Sequence, residues 1–259
     1  MTLQAAIAFA GAAVASAFAA RLALSHAVRP RPHVAAWSAA MAMYAAATWA
    51  LFAGLAFGWG EVAFRLFYWL GAIVLGAIVT VVFLALGAAY LVLGSRAGGA
   101  LLVVFGAFAA GSGAATFGAR LTAPLPATGV PAGSEVFAFS GGLASPRLWA
   151  LVGNVTGTLL LVGLAVYTVV RFRRTDRRLV TGNLLIVAGT AAPAVGGSLT
   201  ALGEGGGLAS SLLVGAGLLW AGYRVAGGAR REDAPARAAH GADPARLGAV
   251  GDDHPREDQ

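Results

Sequence analysis

The residues best suited to bind a ligand are a few hydroxyl and amide side chains in an otherwise apolar chain. Asn154 and Thr158 lie four residues apart in "GNVTGT", so on a helix they share a face. Ser198, Thr200 and Tyr68 fall near the same predicted side of a membrane. Together these five residues predict an outward-facing polar pocket for an uncharged or zwitterionic ligand. The alternative, which we prefer, is that they bond to neighbouring helices or to their own backbone, as such side chains commonly do in membrane bundles.

A second group of reactive side chains lies in the basic segment "RFRRTDRRL". Five arginines stand there between two apolar runs: Arg171, Arg173, Arg174, Arg177 and Arg178. Guanidinium groups at a membrane surface bind lipid phosphates, so a specific anionic-lipid contact is one interpretation. The simpler interpretation, which we prefer, is a basic cytoplasmic loop that fixes the orientation of the protein in its membrane.

The sequence offers no residue set for catalysis or for a cofactor. The chain has no cysteine and no lysine, which excludes disulfides, cysteine-based metal sites and a retinal Schiff base. No Asp, Glu or His lies within a predicted span, and such groups are what proton relays and ion pumps require. His26 and His33 lie in or beside a connection, and His240 and His254 lie near the C-terminus. We therefore predict a protein that is not an enzyme and holds neither a metal nor a cofactor.

The chain that carries these residues is suited to a lipid environment. It is 58% hydrophobic and 11% charged, whereas soluble domains carry about 25% charged residues. A helix needs about 20 apolar residues to cross a bilayer, which predicts an all-α, seven-transmembrane-helix bundle. The predicted spans are 3–24, 34–57, 67–93, 99–119, 148–170, 180–202 and 207–226. They form a membrane domain, 1–228, followed by a tail, 229–259, whose proline, glycine and mixed charges predict disorder.

The connections between the spans differ sharply in charge. One set, taken with the segment after the last span, holds ten arginines, and the other set holds three. By the positive-inside rule the first set is cytoplasmic, which puts the N-terminus outside and the C-terminus inside. Trp59 and Trp37 then fall at outer and inner span ends, where amphipathic rings prefer the interface. The basic residues lie beside lipid headgroups, which predicts a bacterial cytoplasmic membrane protein without a nucleic-acid partner.

Small residues recur at four-residue spacing in two spans and predict close helix contacts. The fifth span carries Gly153 and Gly157, a GxxxG pattern. The fourth span carries a longer stripe: Gly106, Ala110, Ala114 and Gly118. We expect packing within the chain for both, with a dimer interface as the alternative for the fourth span. In the sixth span Pro193 predicts a kink, which marks either a transporter binding site or, more simply, helix architecture.

The connection between the fourth and fifth spans is long and holds four prolines within residues 120–146. Loops of this length carry function in many proteins. We expect this one to dip into the membrane interface or to cover the bundle as a lid. Its residues specify no chemistry of their own.

Three segments carry a family resemblance. "FRLFYWLGA" (64–72), "LALGAAYLVLGSR" (84–96) and "GSEVFAF" (133–139) resemble segments of a group of actinobacterial seven-transmembrane proteins. The resemblance implies a membrane location and this topology. That group has no assigned activity, so the resemblance implies no mechanism.

Two functions fit these observations. The first is a non-enzymatic sensor, scaffold or lipid- or partner-binding protein that works through lipid or another membrane protein. The alternative is a facilitator or carrier for a small uncharged solute or lipid. A carrier needs a continuous polar path, so polar residues in the inner halves of the spans favour it. Asn183 and a few threonines are the only ones there, which favours the first function.

Overall fold

The computed structural model shows an all-α protein with seven helices that are long and apolar enough to cross a membrane. This confirms the predicted fold class and indicates a multi-pass membrane protein. The structure describes residues 2–60, 62–125, 129–131, 133–137, 142–174, 176–201 and 207–241. Only the backbone is described for residues 62–64, 134, 198–201 and 227–241.

The helices follow one another with short connections, apart from one long loop. In chain order they are α1 (Leu3–Val28), α2 (Pro32–Phe57), α3 (Val62–Phe67), π1 (Tyr68–Val79), α4 (Thr80–Val92), α5 (Ser95–Gly118), α6 (Gly133–Val136), α7 (Pro146–Phe172), α8 (Arg177–Ala201) and α9 (Gly207–Gly241). The segments α3, π1 and α4 continue one another and form the third span. All seven predicted spans are present, with ends that differ by several residues.

Helix ends lie beyond the apolar runs because capping residues are polar or are prolines. Thr2 accepts a hydrogen bond from the backbone N–H of Ala5 and caps α1. Asp176 accepts one from the N–H of Leu179 at the start of α8 (2.9 Å). Pro146 occupies the first turn of α7, where its missing N–H costs no hydrogen bond. A search for hydrophobic stretches therefore places these helices correctly and makes them too short.

The core of the bundle lies among α1, α2, α4 and α9. Tyr44 donates from its hydroxyl to the carbonyl of Leu212 on α9 (2.7 Å). Trp49 donates from its indole to the hydroxyl of Ser16 on α1 (3.1 Å). Both rings therefore join α2 to neighbouring helices.

The third span contains a π-helical segment of 12 residues, π1, which the sequence did not reveal. A π-helix is wider than an α-helix, so small residues are needed where it contacts a neighbouring helix closely. Gly71 and Gly76 of π1 face α2, where an added Cβ would lie 2.8 Å from the Cβ of Ala50 and 2.6 Å from that of Ala47. Glycine at these two positions lets the wide segment approach α2.

Helices α8 and α9 are joined by a glycine seam that the sequence analysis also missed. Gly182, Gly189 and Gly196 recur every seventh residue along α8. A Cβ at Gly189 would lie 2.8 Å from the backbone nitrogen of Leu219, and one at Gly182 would lie 2.8 Å from that of Ala226. Backbone atoms cannot move aside as side chains can, so only glycine allows this approach.

Pro193 lies within the continuous helix α8, and its kink angle stays a prediction. Proline has no N–H for the carbonyl of Gly189. That oxygen lies 2.9 Å from the position a Cβ would take at Gly215 of α9. The backbone of Gly215 therefore approaches the freed carbonyl closely, which a residue without a side chain allows.

The two predicted small-residue stripes have different outcomes. Gly153 and Gly157 pack against the third span, where added Cβ atoms would meet the carbonyl of Ile78 at 2.8 Å and Val81 at 2.9 Å. Packing within the chain is therefore confirmed for α7. It is wrong for α5: all four stripe residues are exposed, and no described atom comes within 4 Å of a Cβ built at Gly106 or Gly118.

Helix α9 extends from Gly207 to Gly241, and its part from Gly207 to Ala226 is long and apolar enough to cross a membrane. Residues 242–259 lie outside the described residues. The predicted disorder of residues 229–259 stays a prediction.

Candidate functional site

The main cavity, which we call the lid chamber, has a volume of about 630 Å³ and opens among α2, the third span, α7, α8 and α9. Most of its wall is apolar. It lies toward the end of the bundle that carries the α5–α7 loop, which we call the lid end. The opposite end carries residues 29–31 and 171–178 and is called the arginine end.

The α5–α7 loop packs onto the bundle as a lid, as one of the two expectations had it. Within the loop, the N–H of Thr122 donates to the carbonyl of Val136 (2.9 Å). The indole of Trp59, at the end of α2, donates to the carbonyl of Gly129 (2.9 Å). Val136 and Phe137 pack with Trp59 in one buried cluster. These contacts fix the described part of the loop over the mouth of the chamber.

Trp59 is therefore not the interfacial residue that the sequence predicted. It is 1% exposed and contacts the ring of Tyr68 edge-on at 5.3 Å between centroids. Gly54, one turn earlier in α2, leaves the space that the indole fills, because a Cβ there would overlap the ring. Trp37 also packs inward, donating to the carbonyl of Leu84 (3.1 Å).

Three of the five predicted pocket residues line the lid chamber. Tyr68, Asn154 and Thr158 come together there from π1 and α7. The side chains of Ser198 and Thr200 lie outside the described residues. Thr190, which the sequence analysis did not name, lines the chamber from α8.

The contacts of Asn154 fit both interpretations proposed for it, a pocket residue and a bond to a neighbouring helix. Its amide nitrogen donates to the carbonyls of Ala77 on π1 (2.7 Å) and Ala150 on α7 (2.9 Å). The orientation of the amide is chemically determined, since two carbonyls need a donor opposite them. Both N–H groups are then used, and no donor from a described residue reaches Oδ1. Asn154 is thus an interhelical tie that also presents an acceptor to the chamber.

Asn154 thus joins α7 to the C-terminal part of π1, since Ala77 lies two residues before π1 ends. Nearby, the Thr80 hydroxyl donates to the carbonyl of Leu75, which also accepts from the backbone N–H of Thr80. Asn154, Ala77 and Thr80 all line the lid chamber, so both bonds lie along its wall.

The threonines of the chamber differ in what their hydroxyls do. Thr190 donates back to the carbonyl of Ile186 (2.9 Å), the usual arrangement for threonine in a helix. Thr158 makes no hydrogen bond with a described residue and is exposed. Its hydroxyl is therefore the second polar group of α7, after the oxygen of Asn154, that a ligand can bind.

A smaller cavity of about 210 Å³, which we call the arginine chamber, lies between α4, α7 and α8 at the arginine end. Among the five arginines of the basic segment, Arg171 is the one that lines it. Asn183 lines it as well and donates to the carbonyl of Leu179 on its own helix (3.2 Å). Arg173, Arg174, Arg177 and Arg178 are exposed.

Among the described residues, no group of three or more His, Asp or Glu side chains is placed to hold a metal ion. The site is therefore an apolar chamber with a few hydrogen-bonding groups. Comparison of the chain with protein-family models, with curated proteins and with solved structures gives no match.

Proposed function

We propose that this is a non-enzymatic, ligand-binding protein of a bacterial cytoplasmic membrane, with the lid end outside and the arginine end in the cytoplasm. The observation that carries the proposal is the lid chamber. Its volume of about 630 Å³ falls in the range typical of small-molecule sites, about 300–1,000 Å³. Its wall is largely apolar with a few polar groups, which is also typical of such sites.

The polar groups favour an amphipathic ligand. Asn154 offers an acceptor and Thr158 a hydroxyl, partway along α7. Arg147 lines the chamber where α7 begins, at the lid end. A ligand with an apolar body and a zwitterionic or anionic headgroup would bury its body against α2 and π1 and place its headgroup toward Arg147. Lipids and lipid-like metabolites have this chemistry.

Native mass spectrometry of the protein released from its membrane in mild detergent tests binding. Gly197 lines the chamber, and a Cβ built there meets no described atom within 4 Å. Gly197→Phe should therefore fill the chamber without a backbone clash. Gly163→Phe is the matched control, because Gly163 has the same open surroundings on α7 and lines neither chamber.

The expected result is a stoichiometric adduct on wild type and on Gly163→Phe that is lost from Gly197→Phe. Its mass identifies the ligand. Equal adducts on all three forms, or none on wild type, would contradict a ligand site in the lid chamber.

The proposed orientation has its own test, because the chain contains no native cysteine. Leu143 lies in the loop at the lid end and Arg173 at the arginine end, and both are exposed. In intact cells, a membrane-impermeant thiol reagent should label Leu143→Cys and leave Arg173→Cys unlabelled until the cells are opened. The reverse pattern would contradict the orientation.

A further inference from the structure

One face of α7 lines both chambers. Asn154 and Thr158 face the lid chamber, and Leu161, Ala165 and Thr168 face the arginine chamber. These positions follow one another at spacings of three and four residues, so they form a single stripe along the helix. The two cavities therefore lie end to end against the same helix face.

Only about one helical turn separates the chambers. On α7 the boundary falls between Thr158 and Leu161, and on α8 between Val187 and Thr190. Three residues of a helix rise about 4.5 Å. The barrier is thus one layer of side chains, and Leu161, which lines the arginine chamber directly beside this layer, is 3% exposed.

The seam between α7 and α8 is also wide at its sides. Helix α7 turns its close glycine contacts toward the third span at Gly153 and Gly157, and α8 turns its own toward α9 at Gly189. Neither helix has such a contact with the other. Asn154 and Thr158 are consequently exposed while they line the chamber. At this depth in a bilayer, exposure at the helix surface means access from lipid.

An arginine stands at each end of the stripe. Arg147 lines the lid chamber and Arg171 lines the arginine chamber. Arg171 follows Arg147 by 24 positions along α7, which corresponds to about 36 Å of helix. A bilayer measures about 30 Å across its hydrocarbon and about 40–45 Å with its headgroups. The two guanidinium groups therefore lie at the levels of the two layers of lipid phosphates.

We propose that the α7–α8 seam is a path along which phospholipid headgroups cross the membrane, so that the protein passively exchanges phospholipids between the two leaflets. This rests on the proposed function, because the lid chamber is the outer half of the path. Arg147 and Arg171 bind phosphate at the two ends. Asn154, Thr158 and Asn183 replace water around the headgroup in between, while the acyl chains stay in the lipid outside the seam. No energy source is needed.

A phospholipid fits these observations better than a soluble metabolite does. A soluble solute needs a path closed to lipid along its whole length, whereas the lid-chamber half of the stripe is exposed at Asn154 and Thr158. The other half, at Leu161, Ala165 and Thr168, is buried. The side chains beside the stripe at its outer surface, Val155 and Leu159, are large, apolar and exposed, as a surface for acyl chains requires.

The test is leaflet exchange in vesicles of phosphatidylcholine and phosphatidylglycerol that contain the purified protein and a trace of fluorescently labelled phosphatidylethanolamine. Dithionite added outside bleaches only the label in the outer leaflet. With wild-type protein we expect the label of both leaflets to be bleached, and in protein-free vesicles only that of the outer leaflet. An entrapped water-soluble dye must stay unbleached, because a pore for dithionite would overturn the proposal.

Two matched pairs of variants locate the path. Thr158→Phe places a large side chain beside the layer that separates the two chambers and should slow exchange by about tenfold or more. A tenfold slower rate corresponds to an activation free energy that is higher by about 1.4 kcal/mol. Thr156→Phe carries the same change on an exposed position that lines neither chamber and should exchange like wild type. Arg171→Gln should slow exchange, and Arg173→Gln should not.

Equal rates within both pairs would overturn the path along the seam. Wild-type vesicles that behave like protein-free vesicles would overturn lipid exchange itself. Neither result affects the adduct test with Gly197→Phe, so failure of the exchange proposal can be told apart from failure of the binding proposal.

Discussion

Helix α8 takes part in two seams that differ in almost every respect. Toward α9 it presents Gly182, Gly189 and Gly196, and the two backbones touch. Toward α7 it presents Asn183, Thr190 and Gly197, which line the two chambers. Each residue of the second set follows one of the first set by a single position, a rotation of about 100° around the helix.

The same offset occurs in α7. Gly153 and Gly157 contact the third span, and the residues that follow them, Asn154 and Thr158, line the lid chamber. A glycine that packs against a neighbouring helix thus places the next residue of the sequence on the cavity wall. The close contacts of α7 with the third span and of α8 with α9 therefore leave the α7–α8 seam open, because they hold α7 and α8 against different partners.

Gly189→Leu should disrupt the close contact between α8 and α9 most strongly. The added side chain would begin 2.8 Å from the nitrogen of Leu219 and 2.9 Å from the carbonyl of Gly215, both backbone atoms. Overpacking costs about 1–3 kcal/mol where side chains can adjust, so we expect about 3 kcal/mol or more here. Unfolding in mixed micelles measures this.

The control for that variant is Gly163→Leu, on the lipid-facing side of α7. No described atom lies within 4 Å of its built Cβ, so the free energy of unfolding should change by about 0.5 kcal/mol or less. Equal losses in the two variants would show that glycine itself, and not the seam, determines the effect.

Asn154→Ala removes the hydrogen bond that joins α7 to π1. The carbonyls of Ala77 and Ala150 each lose one donor, and a hydrogen bond contributes about 0.5–1.5 kcal/mol to stability. Average interhelical bonds in membranes are worth about 0.6 kcal/mol, so we expect the free energy of unfolding to fall by about 1 kcal/mol. Thr156→Ala should change the free energy of unfolding much less, and a larger loss there would contradict the assignment.

Trp59→Phe tests how the lid is fixed. The ring contact with Tyr68 remains, but the hydrogen bond to Gly129 is lost, which costs about 1 kcal/mol. Hydrogen exchange of residues 129–137 should become about fivefold faster, because local opening follows this free energy.

Trp69→Phe is a close control for the lid variant. Its indole nitrogen is buried and has no hydrogen-bond partner among the described residues, so no bond is lost. Exchange in the lid should stay as in wild type. Faster exchange in this variant alone would contradict the role given to Trp59.

The smallest effect is expected for Gly106→Leu on α5. This stripe resembles that of α7 in sequence but faces outward, with no described atom within 4 Å of the built Cβ. The free energy of unfolding should change by about 0.5 kcal/mol or less. A loss comparable to that of Gly189→Leu would mean that α5 has a partner that the single chain does not show.

The seven spans were predictable because each is a run of apolar residues, and lipid requires such a run to be helical. The wall of the chamber was partly predictable, since Asn154 and Thr158 share a helix face whatever surrounds them. Their partner was not predictable. Which carbonyl lies opposite Asn154 depends on how α7 packs against π1, and no residue type in "LGAIVT" marks the end of a π-helix.

The stripes show why local spacing could not determine packing. Gly106 and Gly157 belong to equivalent four-residue patterns, yet one faces outward and the other contacts Val81. The α8–α9 seam could not be predicted from a four-residue pattern, because its glycines recur every seventh residue. Which helix lies opposite a stripe depends on the whole bundle and not on the stripe.

The central claim, that Asn154 and Thr158 of α7 line an open chamber beside the α7–α8 seam, is tested most directly by cysteine reactivity. The chain has no native cysteine, so Thr158→Cys and Leu159→Cys each introduce a single thiol, one on the chamber face and one on the lipid face. Thiols react as thiolates, which form in a hydrated chamber and not in lipid. In native membrane vesicles, we predict that a water-soluble thiol reagent modifies Thr158→Cys at least about tenfold faster than Leu159→Cys, since burial in lipid suppresses the thiolate. Equal, slow modification of both would contradict the account.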